Sequence, residues 1–171
     1  MLCFFMEYMR EGNLKDFMQE NLAQGTTALP RDLEVYAAHL VMGLKYLHEQ
    51  SIFHRDLKPD NILVDAKGFL KITDFGLSRV VTSAEKKGLS PGLLAEEGLV
   101  GTPDYMAVEL IEEKTQITSS VDWWSLGCIL FELVWGYPPF NDISVQRIFE
   151  NIRRFKIEWN YEDKLSHPHR Y

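Results

Sequence analysis

The spacing of apolar residues along the chain predicts several helices. In residues 14–22 and 30–47 they recur every three or four positions, as on one face of a helix, and Asn13 is a suitable N-cap for the first segment. Residues 122–135 are apolar on almost every side, which predicts a helix that is buried all round. A shorter amphipathic helix is predicted around residues 145–152, so much of the chain is expected to be helical.

Shorter apolar runs bounded by turn residues predict strands. Residues 2–6 form the first run and are interpreted as a buried strand, and residues 52–53 form the second. Residues 62–64 and 69–72 are two further runs with an Ala-Lys-Gly turn between them, which predicts a hairpin. Residues 77–104 show no sustained period, and so long an irregular segment commonly has a function.

Length, charge and cysteine spacing limit the classes of protein that fit. A chain of 171 residues suits one domain, and a formal net charge of −7 argues against a nucleic-acid partner, which usually requires a basic face. The apolar N-terminus lacks the basic residues of a signal peptide, and residues 122–135 are too few to span a bilayer. Cys3 and Cys128 show neither a disulfide framework nor a zinc spacing. We therefore expect a cytoplasmic or nuclear protein without a membrane partner.

Two polar motifs point to a specific chemistry. They are HRDLKPDN at residues 54–61 and DFG at residues 74–76. Phosphoryl transfer requires a carboxylate that orients the attacking hydroxyl and accepts its proton, which suits Asp56, and a cation near the γ-phosphate, which Lys58 can provide. The amide of Asn61 and the carboxylate of Asp74 are oxygen ligands that suit Mg²⁺. A polar loop with two capping aspartates is the structural alternative, but such a loop does not require both motifs in this order.

Together the two motifs resemble the signatures of the eukaryotic protein kinases, and the resemblance extends from about residue 2 to about residue 159. It implies a protein-kinase-like C-terminal lobe that is mainly α with short β-hairpins, and ATP and Mg²⁺ as cofactors. Residues 1–9 would be the last small-lobe strand and the hinge, residues 10–159 the large lobe, and residues 160–171 an irregular tail. The implied reaction transfers the γ-phosphoryl group of ATP to Ser or Thr of protein substrates.

The resemblance also implies roles for individual residues. Thr102 would join the catalytic residues Asp56, Lys58 and Asn61. ATP would be bound by Asp74, by the hinge residues Met6, Glu7 and Met9, and by Leu63 beneath the adenine ring. The regulatory spine would contain His54, Phe75 and Asp122. Asp122 would also support the catalytic loop, and Glu109 would support the activation segment. Asp122 is in addition a suitable N-cap for the helix that follows it.

Three residues are implied to contact the substrate. Asp60 and Glu132 match positions that hold basic residues upstream of the phosphoacceptor, so the expected substrates carry Ser or Thr near basic residues. Leu77, directly after the DFG motif, is a residue that in this family goes with Ser rather than Thr as the acceptor.

Several segments resemble particular branches of the family. The Lys-Pro-Asp-Asn form of the catalytic loop is similar to that of Ser/Thr kinases rather than tyrosine kinases. Residues 101–105 (GTPDY) and 121–128 (VDWWSLGC) resemble the AGC group. The long spacer between Asp74 and Glu109 resembles the microtubule-associated Ser/Thr kinase and Greatwall-like branch of that group.

The chain also departs from the kinase pattern. It begins at the hinge, without a Gly-rich loop, the ATP-binding lysine or the glutamate of the small-lobe helix, and it stops before the last helices of the large lobe. We therefore expect a truncated domain that is inactive or weakly active alone. Glu109 would be a buried carboxylate without its usual arginine partner. The alternative hypothesis is a non-catalytic, pseudokinase-like interaction module. A small-molecule phosphotransferase is a weaker third hypothesis, because such enzymes lack the GTPDY segment.

Overall fold

The computed structural model describes residues 3, 5–23, 30–82, 100–112 and 118–157. Its helices are α1 (Leu14–Ala23), α2 (Pro30–Glu49), α3 (Val108–Ile111), α4 (Ser120–Trp135) and α5 (Val145–Arg153). Its strands are β1 (Ile52–Phe53), β2 (Ile62–Val64), β3 (Leu70–Ile72) and β4 (Arg79–Val80). Two 3₁₀ turns, Pro59–Asn61 and Pro103–Tyr105, precede β2 and α3. The described chain is therefore mainly helical with small antiparallel sheets, as the sequence predicted.

Helix α2 is central to the core, because it packs against both α4 and strand β3. Leu40 and Leu44 of α2 and Ile129 of α4 are completely buried in the main apolar cluster. A smaller cluster that includes Phe53 of β1 lies beside it, and Trp124 packs against both clusters. The polar loop between β1 and β2 is consequently mounted on well-packed elements at both of its ends.

Side-chain and glycine caps explain where several helices begin and end. The amide of Asp16 donates to Asn13 Oδ1 at 2.8 Å, and Asn13 Nδ2 donates to Asp16 Oδ2 at 2.8 Å, which confirms the predicted cap of α1. Ser144 Oγ accepts a hydrogen bond from the amide of Arg147 at the start of α5. Gly136 ends α4 with a left-handed φ of 83°, a conformation that glycine adopts without strain.

The predicted hairpin is formed by β2 and β3. These strands are antiparallel with Ile62 opposite Ile72, and the amide of Thr73 donates to the carbonyl of Asn61 at 3.0 Å just beyond them. At the other end, Asp65 Oδ1 accepts from two backbone amides of the turn, and these hydrogen bonds hold the pKa of that carboxyl below its ordinary value. The hairpin therefore brings the chain just before β2 beside the chain just after β3.

The predicted strand at residues 2–6 is wrong for the residues that the structure describes. Cys3, Phe5 and Met6 have no strand conformation, and the last two are 97% and 70% exposed rather than buried. The physical reason is that no described strand lies beside this segment, so its backbone has no ladder of hydrogen bonds to join. Residues 1, 2 and 4 and the predicted tail from residue 160 lie outside the described residues.

The prediction that α4 is buried all round is also wrong. Leu126 and Ile129 are buried, but Trp123 and Val134 are 38% and 36% exposed. Among the described elements, α4 packs mainly against α2 and the turn Pro103–Tyr105, which cover part of its circumference. Within the described ranges, no helix is both long enough and apolar enough to cross a membrane.

Candidate active site

Asp122 of α4 holds the polar loop that follows β1. Its Oδ1 accepts from the amide of Arg55 at 2.8 Å, its Oδ2 accepts from the amide of His54 at 3.0 Å, and His48 Nε2 lies 2.7 Å from Oδ2. The carboxylate is fully buried, so these contacts replace water as its partners. The structure thus places the Asp122 carboxylate against the backbone of the loop. The suggestion that Asp122 caps α4 is wrong, because the helix begins at Ser120 and Asp122 is its third residue.

The loop has a strained backbone at Arg55, which has a φ of 67°. A non-glycine residue in this left-handed region costs of order 1–3 kcal/mol, so the neighbouring contacts must hold it there. Besides the amide bond to Asp122, Arg55 Nε donates to the carbonyl of Leu77 at 2.7 Å. Gly101 lies against the other side of the loop, since a Cβ at this position would be only 2.9 Å from the carbonyl oxygen of Arg55. The absence of a side chain at Gly101 lets its segment approach the loop.

This approach completes a hydrogen-bonded group around Asp56. Thr102 Oγ1 donates to Asp56 Oδ1 at 2.8 Å and accepts from Lys58 Nζ at 2.9 Å. Lys58 Nζ also lies 2.9 Å from Asp56 Oδ2, and Asn61 Nδ2 donates to the same oxygen at 3.2 Å. The structure therefore brings together all four predicted catalytic residues. Both carboxylate oxygens of Asp56 are fixed in orientation while its side chain keeps 10% of its surface exposed.

His54 connects this group to the DFG motif. Its ring is fully buried, its Nε2 lies 2.9 Å from the carbonyl oxygen of Thr73, and its centroid lies 5.4 Å from that of Phe75 in an edge-on arrangement. The backbone amide of His54 binds Asp122 from below. His54 therefore contacts both Asp122 and Phe75, the other two residues of the predicted regulatory spine, while Phe75 remains 46% exposed.

Asn61 and Asp74 are placed at one end of the β2–β3 hairpin. Asn61 Nδ2 donates to both the carbonyl and the carboxylate of Asp56, so Oδ1 is the atom that Asn61 can offer to a cation. Asp74 is exposed, has a left-handed φ of 60°, and accepts from the amide of Gly76 at 3.2 Å. An amide oxygen and a carboxylate fit Mg²⁺, which binds few protein ligands and completes its shell with phosphates and water. These two residues would hold the ion.

The predicted ATP-binding residues form a less complete group. Leu63 is half-buried in β2 and lies opposite Lys71 in β3, while Glu7 contacts the ammonium group of Lys71. The hairpin thereby places Leu63 near the segment that was predicted to be the hinge. Met9 is half-buried and its carbonyl accepts from the amide of Gly12, whereas Met6 lies at the surface.

The residues predicted to bind substrate have partners within the chain. Asp60 Oδ1 lies 3.1 Å from Lys15 Nζ at the surface. Glu132 is only 9% exposed and accepts from the hydroxyl of Tyr105 at 2.6 Å. Burial raises the pKa of Glu132 to about 7, and burial together with the charge of Glu132 raises the pKa of the Tyr105 hydroxyl above its ordinary value. Leu77 is 37% exposed, so its side chain is accessible from the site.

The expectation that Glu109 is a buried carboxylate without a partner is wrong. Glu109 is half-buried, and its Oε1 accepts from the hydroxyl of Ser120 at 2.7 Å. Ser120 is the first residue of α4, so this bond joins α3 to the start of the next long helix. Among the described residues, the hydroxyl of Ser120 is therefore the hydrogen-bond donor to this carboxylate.

Three contacts of the site were not found by sequence reasoning. They are the contacts of His48 with Asp122, of Lys15 with Asp60 and of Tyr105 with Glu132, and their partners are 74, 45 and 27 residues apart. Tyr105 belongs to the GTPDY segment, so the motif was visible but the contact was not. Lys15 and His48 lie on helices whose periodic pattern gives no signal for either contact.

Comparison with known proteins identifies the class to which this fold and site belong. The model of the protein kinase domain matches residues 1–170, and the chain belongs to this family. This agrees with the arrangement of Asp56, Lys58, Asn61 and Asp74 around one end of the hairpin.

Relatives within the family are similar over most of the chain. The probable serine/threonine protein kinase IRE of Arabidopsis thaliana is 39% identical over 191 residues, which cover 97% of this chain and 16% of that protein. The probable serine/threonine protein kinase IREH1 of the same plant is 40% identical and covers 92% of the chain. The cAMP-dependent protein kinase catalytic subunit 3 of Drosophila melanogaster is 43% identical over 72% of the chain. The chain spans 14–16% of the two plant relatives.

Proposed function

We propose that the chain supplies the catalytic and peptide-binding lobe of an ATP-dependent protein Ser/Thr kinase. Residues 10–159 would form this large lobe, and residues 1–9 would connect it to a lobe that covers the nucleotide. The observation that carries the proposal is the fixed carboxylate of Asp56, which is oriented by Thr102, Lys58 and Asn61. A polar loop without catalytic function does not require a partly exposed carboxylate whose two oxygens are both oriented by neighbouring donors.

Each residue of the group has a role in this reaction. Asp56 would orient the hydroxyl of a substrate Ser or Thr and accept its proton, and Thr102 would keep the carboxylate turned towards that hydroxyl. Lys58 is within reach of Asp56 and would stabilise the negative charge that develops on the transferred group. Asn61 Oδ1 and Asp74 would hold Mg²⁺. Bound ATP supplies the phosphoryl group, and the magnesium ion neutralises its charge.

Substrates with basic residues upstream of the acceptor fit the acidic side chains of Asp60 and Glu132. Leu77, which is partly exposed beside the DFG motif, supports Ser over Thr as the acceptor.

The GTPDY segment and the similarity to cAMP-dependent protein kinases support a place in the AGC group. The spacer between Asp74 and Glu109 supports the microtubule-associated Ser/Thr kinase and Greatwall-like branch of that group. A cytoplasmic or nuclear location is proposed from the spacing of the two cysteines, which are not paired with each other.

Exposure of the nucleotide side favours slow turnover by the 171 residues alone. Met6 and Phe75 are 70% and 46% exposed, so a nucleotide bound beside them would remain open to water. Loss of one preorganised charge-stabilising group typically lowers the rate by about 10²–10³-fold. The same exposure favours the second candidate function, a non-catalytic interaction module that binds peptides or another kinase chain.

The test compares this chain alone with the same chain joined to the nucleotide-binding lobe and final helices of a cAMP-dependent protein kinase. Both proteins receive Mg²⁺, ATP and a Ser peptide with upstream arginines. We expect the joined protein to be at least about 10²-fold faster and Asp56→Asn to abolish that gain. Asp32→Asn, a matched change at the exposed start of α2, should retain it. A joined protein that folds and binds ATP without Asp56-dependent transfer would favour the interaction module.

A further inference from the structure

Lys15 brings a positive charge from α1 to the polar loop. Helix α1 packs against the 3₁₀ turn Pro59–Asn61, and Lys15 Nζ lies 3.1 Å from Asp60 Oδ1. The two side chains are 46% and 41% exposed, so the ion pair is at the surface and accessible to another charged group. Asp60 is one of the two carboxylates proposed above to bind a basic residue of the substrate.

The position of Lys15 is defined by its neighbours. The carboxylate of Asp16, the next residue, is hydrogen-bonded by Asn13 at the start of α1. Among the described residues, Asp60 is the carboxylate within ion-pair distance of Lys15. The ammonium group is therefore directed across the chain towards the loop rather than along its own helix.

Asp60 belongs to an acidic patch that also contains Asp104 and Glu132. The pKa of Glu132 is raised chiefly by burial and further by the charges of Asp104 and Asp60, while the charge of Lys15 lowers it. Lys15 thus pairs directly with Asp60 and acts through its charge on Glu132. Asp104 in addition accepts from Asn141 Nδ2 at 2.9 Å, which fixes the orientation of its carboxylate.

We infer that Lys15 is a specificity-determining residue, an internal cation that occupies the place of a substrate's basic side chain at Asp60. This inference rests on the proposed peptide-binding function of the acidic patch. A substrate arginine or lysine must displace Lys15 from Asp60 or share the carboxylate with it, and in either case it gains less net charge neutralisation than at an unpaired carboxylate. The preferred substrate is therefore a Ser peptide. It requires upstream basic residues less strongly than it would if the acidic patch lacked Lys15.

The test measures peptide binding to the 171-residue chain, which separates it from phosphoryl transfer. Two fluorescent Ser peptides that differ only by one upstream arginine or alanine are titrated by anisotropy, with each upstream position tried in turn. The ratio of their affinities is compared between the unaltered chain and Lys15→Ala. We expect the arginine preference to rise by about twofold to fivefold at one position, as for gain of an exposed ion pair. Because the ratio is taken within one variant, a smaller folded fraction does not change it.

Two further variants keep the inference falsifiable. Lys45→Ala removes an exposed lysine of α2 that pairs with Glu49, and it should leave the ratio unchanged. The gain should disappear in the double variant Lys15→Ala, Asp60→Asn. An unchanged ratio in Lys15→Ala, an equal gain in Lys45→Ala, or no measurable binding of either peptide would overturn the inference. A chain that shows the expected ratios, when the joined protein transfers no phosphoryl group, would refute the proposed function and not the role of Lys15.

Discussion

Helix α4 has two buried carboxylates, Asp122 near its start and Glu132 near its end, and their surroundings differ. Asp122 meets three nitrogen groups, two of which are backbone amides of the polar loop. Glu132 has one described donor, the hydroxyl of Tyr105, and burial raises its pKa to about 7. The comparison shows that the hydrogen-bond donors around a buried carboxylate decide what it does in the fold. Asp122 fastens a loop, whereas Glu132 can change its charge near neutral pH.

The largest effect is expected from Asp122→Asn. The amide group can accept through only one atom, so at least one of the backbone amides of His54 and Arg55 loses its acceptor. We expect the free energy of unfolding to fall by about 3 kcal/mol, since buried hydrogen bonds to a charged group are lost. Urea unfolding followed by tryptophan fluorescence measures the change. The free energy of unfolding of the matched variant Asp32→Asn should stay within about 0.5 kcal/mol of that of the unaltered chain. Equal losses of stability in both variants would contradict the role of Asp122 in holding the polar loop.

A smaller effect is expected from the titration of Glu132. Its pKa is raised from 4.5 to about 7, so the folded chain keeps a proton that the unfolded chain releases. The stabilisation is complete below the unfolded value and is lost as the pH rises through the folded value. Between about pH 4.5 and pH 8, the free energy of unfolding should fall by about 1–3 kcal/mol more than in Glu132→Gln. Parallel pH curves for the two proteins would show that Glu132 does not titrate in this range.

The smallest effect is expected from Tyr105→Phe, which removes the described donor of Glu132. Because the hydrogen bond from Tyr105 lowers the pKa of Glu132, its loss should raise that pKa further. We expect the pH at which the stabilisation is lost to move upward by about half a unit to one unit. The same unfolding curves measure it. Tyr36→Phe on α2 is the matched control, and a shift of the same size in that variant would refute the assignment.

Local signals made much of the fold predictable from the sequence. The cap of α1 joins Asn13 to Asp16, which is three residues away, and the β2–β3 hairpin is bounded by its own turn. Errors arose where a local pattern depends on a distant neighbour. The apolar run at residues 2–6 predicted a buried strand, but such a run does not indicate whether a neighbouring strand is present. No described strand lies beside this segment. Strand β4 has two residues, too few for a period to be read.

The proposed catalytic residues Asp56, Lys58 and Asn61 were predictable from a single motif, whereas Thr102 lies 46 residues from Asp56. The resemblance to a family supplied that contact, because neither periodicity nor charge connects the two positions. Contacts outside the motifs, such as that of Lys15 with Asp60, could not be predicted. They depend on how α1 is set against the loop, which is a property of packing and not of any single segment.

The β2–β3 hairpin has a consequence for how freely this domain can vary. The spacing of Asn61 and Asp74 is set by the strand pairing and by the bond from the amide of Thr73 to the carbonyl of Asn61, all at one end. The turn at Ala66 and Lys67 is exposed at the opposite end. The length of that turn is therefore expected to have little effect on the positions of Asn61 and Asp74, the two proposed magnesium ligands. Evolution can lengthen it, and an experimenter can insert a reporter peptide there, without moving the two ligands relative to each other.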